Sequence, residues 1–152
     1  MREESSPQAK LPVSLQQRVV IALGQAFGQL AHSMEQALKP YGLTPTQYNV
    51  LRILNGAGEK GLCGRAVGDR MISKVPDVTR LLDRMVAAGW VVRERDRDNR
   101  RFVTARITEA GRDLLLETTP IIDAMHRDTF KHLSDAQLQA MLEMLQPALG
   151  TD

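Results

Sequence analysis

The chain has 152 residues, of which 43% are hydrophobic and 25% charged, and its formal net charge is +2. This length suits one domain with a buried core, and no apolar run reaches the ~18 residues that a transmembrane helix needs. Cys63 is the only cysteine, which excludes an intramolecular disulfide and favours a reducing compartment, the cytoplasm. Residues 1–13 lack the apolar core of a signal peptide and are predicted to form a disordered tail.

Residues 14–39 carry apolar side chains three and four positions apart, which predicts a long amphipathic helix with Ser14 as its N-cap. A helix of this length needs a partner along most of its course, so the pattern indicates an interface. After Gly42, a second helix is predicted to begin at Pro45 with Thr44 as its N-cap. A proline is tolerated there because the first helical N–H has no partner within the helix.

Two short helices joined by a tight connection are predicted next, one from Leu62 to Met71 and one beginning at Pro76. The second has an apolar stripe on one face, a polar opposite face and Gly89 as its C-cap. A helix of this kind fits the major groove of B-DNA, where its N-terminal end and outer face reach base edges. The predicted DNA contacts on this surface are Lys74, Pro76, Asp77, Thr79, Arg80 and Arg84.

The periodicity changes from helical to alternating at Trp90, and residues 90–95 and 101–107 are predicted to form two strands around a basic loop. This hairpin takes the place of a wing after a recognition helix. Its arginines can insert between phosphates or enter a narrow minor groove. The predicted DNA contacts of the wing are Arg95, Arg97, Arg100 and Arg101. The alternative is a solvated hairpin whose arginines pair with the acids between them.

Charge is distributed unevenly along the chain. Residues 65–106 hold eleven Lys and Arg against six Asp and Glu, a net charge of +5, whereas the rest of the chain carries −3. Such an asymmetry is expected when one surface meets a polyanion and another does not. The sequence therefore predicts a protein that binds double-stranded DNA through a winged helix-turn-helix centred on residues 62–107.

The remaining sequence predicts two more helices. Thr108 is the expected N-cap of the first, which contains Pro120, and Ser134 lies at the start of the second. The predicted fold class is therefore mainly α with a small β-hairpin wing.

Three segments resemble the MarR family of multiple-antibiotic-resistance-type regulators. Residues 78–93 are close to the family's passage from recognition helix to wing, residues 43–48 to the entry of its second helix, and residues 107–111 to the segment that leaves the wing. The resemblance spans about residues 15–149. At the wing, the family's Asp-x-Arg pattern is matched by residues 99–101, with Asn99 in place of the aspartate.

The resemblance implies a homodimer in which residues 14–42 and 109–150 supply dimerisation helices around a winged DNA-binding lobe, residues 43–108, all within one domain. It further implies repression from a pseudo-palindromic operator. A small aromatic or phenolic ligand would release the DNA by entering a crevice between the dimerisation helices and the lobe. The candidate ligand-binding residues are His32, Tyr48 and Arg52.

Other classes of function find less support in the sequence. The chain has no Gly-rich phosphate loop and no nucleophile elbow, so neither an enzyme nor a cofactor is predicted. His126 and His132 lie six residues apart, which is the wrong spacing for two ligands on one helical face, and no metal site is expected. Cys63 is interpreted as an inert core residue. The remaining alternatives are a DNA-binding activator, a ligand-independent regulator and a helical module that binds an acidic protein.

Overall fold

A computed structural model describes residues 12–95 and 103–150, which form a mostly helical chain with one small sheet. Three short 3₁₀ turns, Lys39–Tyr41, Gly58–Lys60 and Gln146–Leu149, connect or end the longer elements. The elements are α1 (Leu15–Leu38), α2 (Pro45–Ala57), β1 (Leu62–Cys63), α3 (Gly64–Arg70), α4 (Val78–Ala87), β2 (Val91–Arg95), β3 (Val103–Ile107), α5 (Glu109–Thr129) and α6 (Asp135–Leu145).

Four helices begin where a local hydroxyl side chain can cap them. Ser14, Thr44, Thr108 and Ser134 each accept a hydrogen bond from the backbone N–H three residues later, with N···O distances of 3.1–3.3 Å. These bonds satisfy N–H groups that have no partner within the helix. The predicted starts of α1, α2, α5 and α6 are confirmed.

The sheet has three antiparallel strands in the order β1-β3-β2 rather than the two strands of the predicted hairpin. The prediction of a helix starting at Leu62 is wrong, because Leu62 pairs with Ala105 of β3 as a strand and α3 begins only at Gly64. Gly61 makes this pairing possible. Its φ is +62°, and a Cβ at this position would lie 2.5 Å from the Ala105 carbonyl oxygen.

The helix predicted to begin at Pro76 begins two residues later, at Val78. Asp77 is its N-cap, and its Oδ1 accepts a hydrogen bond from the N–H of Arg80 at 2.9 Å. Capping by the carboxylate therefore decided the start of α4, and Pro76 belongs to the connection that precedes the cap.

The hydrophobic core lies mainly among α2, α3, α4, the sheet and α5. Helix α1 contributes one buried residue, Leu38 at its C-terminal end, and its first fifteen residues are all exposed. None of the helices in the described part of the chain is both long enough and apolar enough to cross a membrane. The division into dimerisation helices and a DNA-binding lobe stays a prediction.

Candidate nucleic-acid interface

Helix α4 presents a polar face to solvent opposite an apolar face. Leu81, Leu82 and Met85 are buried, with at most 4% of their surface exposed, and they fix α4 against the core. The six residues predicted to contact DNA from the connection and from α4 are all exposed. They are Lys74, Pro76, Asp77, Thr79, Arg80 and Arg84.

The connection between α3 and α4, residues 71–77, is held by side chains at two places. Lys74 Nζ donates to the carbonyl oxygens of Gly68 and Asp69, at 3.0 and 3.1 Å, which complements the negative end of the α3 dipole. Asn49 of α2 accepts at Oδ1 from the N–H of Ile72 at 3.1 Å. Lys74 therefore has a structural role in addition to the DNA contact predicted for it.

Two clefts flank the start of α4. The larger, of about 750 Å³, lies between the base of the wing and α3, and Lys74, Thr79 and Arg93 are among its lining residues. The other, of about 580 Å³, lies between α2 and α4, where Thr46 faces Arg80 and Arg84. Together the two clefts bring all six of these predicted contacts to one continuous face.

The carboxylates of Asp77 and Asp83 beside α4 bind groups other than the guanidinium groups of Arg80 and Arg84. Asp83 forms an ion pair with Arg93 of β2 at 2.5 Å, and Asp77 is engaged in capping α4. Exposed ion pairs contribute only about 0–1 kcal/mol to stability, so the main effect of the Asp83–Arg93 pair is to fix the wing relative to α4.

A second ion pair braces the wing. Arg106 of β3 pairs with Glu94 of β2 at 2.5 Å and donates to the Glu59 carbonyl oxygen at 3.3 Å. Arg95 is exposed at the end of β2. The other predicted wing contacts, Arg97, Arg100 and Arg101, lie outside the described residues.

Two basic residues of this surface were not among the predicted DNA contacts. Arg65, in the first turn of α3, and Arg93 line the larger cleft together with Lys74. Both were counted among the eleven basic residues of segment 65–106, but neither was named as a DNA contact. Their position became apparent only once α3 and β2 were packed beside α4.

An apolar cavity of about 380 Å³ lies between α1, α2 and the connection that precedes α4. It is the kind of crevice in which the sequence interpretation placed a small ligand, but His32, Tyr48 and Arg52 do not line it. Its lining residues are Phe27, Leu30, Ala31, Met34, Pro45, Thr46, Asn49, Ile72, Ser73 and His126.

The three candidate ligand residues lie apart from one another. Tyr48 is 2% exposed in the core, and its hydroxyl donates to Thr119 Oγ1 at 3.4 Å. Arg52 lines a different crevice, of about 440 Å³, between α2 and α5. His32 is exposed on α1. The helical repeat explains this outcome, because Pro45 and Asn49 share the cavity face of α2 whereas Tyr48 points to the core.

The described residues contain no group of three or more His, Cys, Asp or Glu side chains placed to hold a metal ion. Cys63 is half-buried at the entry to α3 and lines the larger cleft beside the recognition helix.

Comparisons with known proteins agree on one family. The model of the MarR family matches residues 41–101. The transcriptional regulator MhqR of Bacillus subtilis (strain 168) is 26% identical over 129 residues, which is 85% of this chain and 88% of MhqR. These matches support a MarR family transcriptional regulator.

Solved structures of the MarR family have the same fold. CouR from Rhodococcus jostii RHA1, solved with p-coumaroyl-CoA, is 27% identical and superimposes with a TM-score of 0.79 over 93% of this chain and 98% of CouR. A mutant MarR from E. coli, solved with operator DNA, is 19% identical and has a TM-score of 0.78 over 90% of this chain and 99% of that chain. Together with the regulators matched by sequence, these structures support a DNA-binding transcriptional regulator with the winged-helix fold of the MarR family.

Proposed function

We propose that this protein is a homodimeric, cytoplasmic repressor that binds a pseudo-palindromic operator and is released from it by a small phenolic ligand. The observation that carries the proposal is the exposed face of α4. There the predicted contacts lie together along two clefts, and the Asp77 and Asp83 carboxylates bind the Arg80 N–H and the Arg93 side chain, not the guanidinium groups of Arg80 and Arg84. The E. coli MarR solved with operator DNA shares the fold.

Footprinting on the intergenic DNA upstream of the protein's own gene tests this proposal. A two-fold symmetric dimer places its recognition helices one or more helical turns apart. We expect two protected half-sites with centres about 10 bp apart, or a multiple of that spacing. A single protected half-site would contradict binding of the DNA by a dimer. Expression of a reporter gene that increases when the protein is produced would contradict repression.

The homodimer is supported by apolar side chains that a single chain leaves in water. Between 39% and 73% of each residue is exposed, and apolar exposure on this scale is typical of an interaction site. On α1 these residues are Leu15, Val19, Val20, Ile21, Leu23 and Phe27, and in the C-terminal part they are Leu116, Leu142, Met144 and Leu149. The proposed dimer buries both groups by packing α1 of each protomer against the C-terminal helices of its partner.

Charges placed on this apolar surface are expected to separate the protomers. The double variant Leu15→Glu/Val20→Glu puts two carboxylates into the proposed interface, where their desolvation opposes association. Light scattering at micromolar protein should give twice the chain mass for the wild type and a single chain mass for the variant. Gln25→Glu/Gln29→Glu adds the same charge at exposed polar positions of α1 and should stay dimeric. Equal masses for the wild type and the interface variant would contradict the assignment.

The apolar cavity is the proposed ligand site. Its volume of about 380 Å³ lies in the range of small-molecule sites. Among its lining residues in the described part of the chain there is no Lys or Arg to compensate a carboxylate, whereas Thr46, Asn49, Ser73 and the imidazole of His126 can hydrogen-bond a hydroxyl group. An uncharged phenol therefore suits the cavity better than a phenolic acid.

Thermal shift measurements with p-cresol and p-hydroxybenzoate compare the two ligand classes on one ring. A ligand at about 100 times its Kd stabilises the folded state by about 2.7 kcal/mol, which raises Tm by roughly 5–10 °C. We expect p-cresol to raise Tm and p-hydroxybenzoate to raise it less. The variant Ala31→Phe, which fills the cavity from α1, should lose the response. A larger shift with the carboxylate would contradict the assignment of an uncharged ligand.

A further inference from the structure

The position of the recognition helix depends on the short connection that precedes it. Residues 71–77 join α3 to α4. Met71 is buried in the core and Val75 packs against it, whereas Ile72 between them is 78% exposed, so apolar packing does not hold the backbone at Ile72. Besides the bonds that end α3 and cap α4, two side chains form the described hydrogen bonds of this connection. Asn49 binds the N–H of Ile72, and Lys74 reaches back to the carbonyl oxygens that end α3.

The two bonds lie on different surfaces of the lobe. Lys74 lines the larger cleft, on the side assigned to DNA. Asn49 and Ile72 both line the apolar cavity, opposite Phe27 and Met34 of α1. A molecule in the cavity therefore lies beside both partners of the Asn49–Ile72 hydrogen bond, and Thr46 is the lining residue that the cavity shares with the cleft beside Arg80 and Arg84.

We propose that Asn49 is a positioning residue for the recognition helix, and that occupancy of the apolar cavity weakens DNA binding by breaking the Asn49–Ile72 hydrogen bond. This inference rests on the proposed function, since it specifies how the cavity regulates the DNA-binding surface. A hydroxyl group in the cavity competes for the Asn49 carboxamide and leaves the Ile72 N–H without its partner. The connection then loses its hydrogen bond to α2, and the N-terminal end of α4 is held less firmly in the position that fits the groove.

The coupling acts in both directions. If the intact bond favours the DNA-bound conformation and its rupture favours the ligand-bound one, each ligand lowers the affinity for the other by the same factor. A net hydrogen bond of ordinary strength corresponds to a change of about 3- to 10-fold in affinity. The strength of this bond therefore limits how far a molecule in the cavity can lower the affinity for DNA through this connection.

Variants of Asn49 separate hydrogen bonding from packing. Asn49→Leu has nearly the same volume but no acceptor, and we expect the Kd for the upstream intergenic DNA to rise by about 3- to 10-fold. Asn49→Asp keeps an oxygen that can accept from Ile72, and its affinity should equal that of Asn55→Asp, which adds the same charge elsewhere on α2. Asn55→Leu is the control for an added apolar side chain. If Asn49 acted through packing alone, the order of the DNA affinities would be reversed, with Asn49→Leu close to the wild type and Asn49→Asp weaker.

A filled cavity imitates the ligand without any added compound. Ala31→Tyr introduces a ring and a hydroxyl group from α1, across the cavity from Asn49. We expect it to weaken DNA binding by a factor similar to that of Asn49→Leu, and the double variant to be no weaker than the weaker single one, since both remove the same bond. The inference would be overturned if the losses of DNA affinity of the two single variants multiplied in the double variant, or if Asn49→Leu bound DNA as tightly as the wild type. A wild-type protein that does not prefer its upstream DNA to unrelated DNA would instead refute the proposed function, so the two failures are distinct.

Discussion

Replacing Arg80 and Arg84 together by alanine is expected to weaken binding to the upstream intergenic DNA by at least about 100-fold. Both side chains are exposed on the face of α4 that carries the predicted contacts, and they line one cleft beside it. A bidentate contact between arginine and guanine contributes roughly 1–3 kcal/mol of base discrimination. Losing two such contacts reduces specific binding far more than binding to unrelated DNA. Titrations of both DNAs with the wild type and the double variant measure this difference.

A matched control removes the same charge from another part of the molecule. Arg112 and Arg127 are exposed on α5, outside the proposed DNA surface. The variant Arg112→Ala/Arg127→Ala should lose little specific affinity, because the distant charges contribute only a screened attraction. The opposite result would be an equal loss of affinity in the α4 and α5 variants, for both the upstream intergenic DNA and unrelated DNA. In that case α4 would contribute only net charge, and its assignment as the recognition helix would be wrong.

Gly111→Ala is expected to be the most destabilising of the substitutions considered, with a loss of about 3 kcal/mol in the free energy of unfolding. Gly111 lies in the first turn of α5, where a Cβ would collide with the Trp90 carbonyl oxygen and lie 2.9 Å from Ile107 Cγ1. The carbonyl cannot move freely, because it accepts the N–H of Thr108 at 3.0 Å. The strands would have to separate from α5, and Tm should fall by roughly 6–12 °C.

Gly56→Ala supplies the control for this prediction. Gly56 lies within α2, has no positive φ, and a Cβ there would meet no atom within 4 Å. Alanine has the higher helix propensity, so this variant should gain about 0.5–1 kcal/mol. Chemical denaturation of both variants checks the pair. A Gly111→Ala protein as stable as the wild type would show that the junction between α5 and the sheet is loosely packed.

The parts of the fold that depend on neighbouring residues could be predicted from the sequence. The caps at Ser14, Thr44, Thr108 and Ser134 each involve a hydroxyl and an N–H three residues away, and all four were predicted correctly. The strand at Leu62 could not be found in the same way. Its partner, Ala105, is more than forty residues distant, and local spacing alone favoured a helix.

The start of α4 shows two local signals in competition. Pro76 is a common first residue of a helix, but Asp77 offers a carboxylate to the N–H of Arg80, and the cap decided the boundary. The sequence shows both signals, but it does not show which of the two determines the first residue of the helix. An error of two residues here leaves the outer face of the helix unchanged, which is why the predicted contacts of α4 still lie together.

The candidate ligand residues show what a sequence does not provide. Tyr48 and Arg52 were selected for their chemistry, without knowledge of which face of α2 meets α1. That choice is made by packing among distant helices, which turns Asn49 to the cavity and Tyr48 to the core. The exposure of the predicted DNA contacts on α4 was easier to predict, because the charged face of one helix follows directly from its periodicity.

Binding to the upstream intergenic DNA across a series of salt concentrations tests the central claim most directly. Each phosphate neutralised by a basic side chain releases counterions, so the affinity of the wild type should fall steeply as salt rises. The variant Arg97→Ala/Arg101→Ala, which removes two wing charges, should bind more weakly and with a shallower slope. Weak binding that is insensitive to salt and unchanged by these substitutions would contradict the assignment of residues 62–107 as the DNA-binding surface.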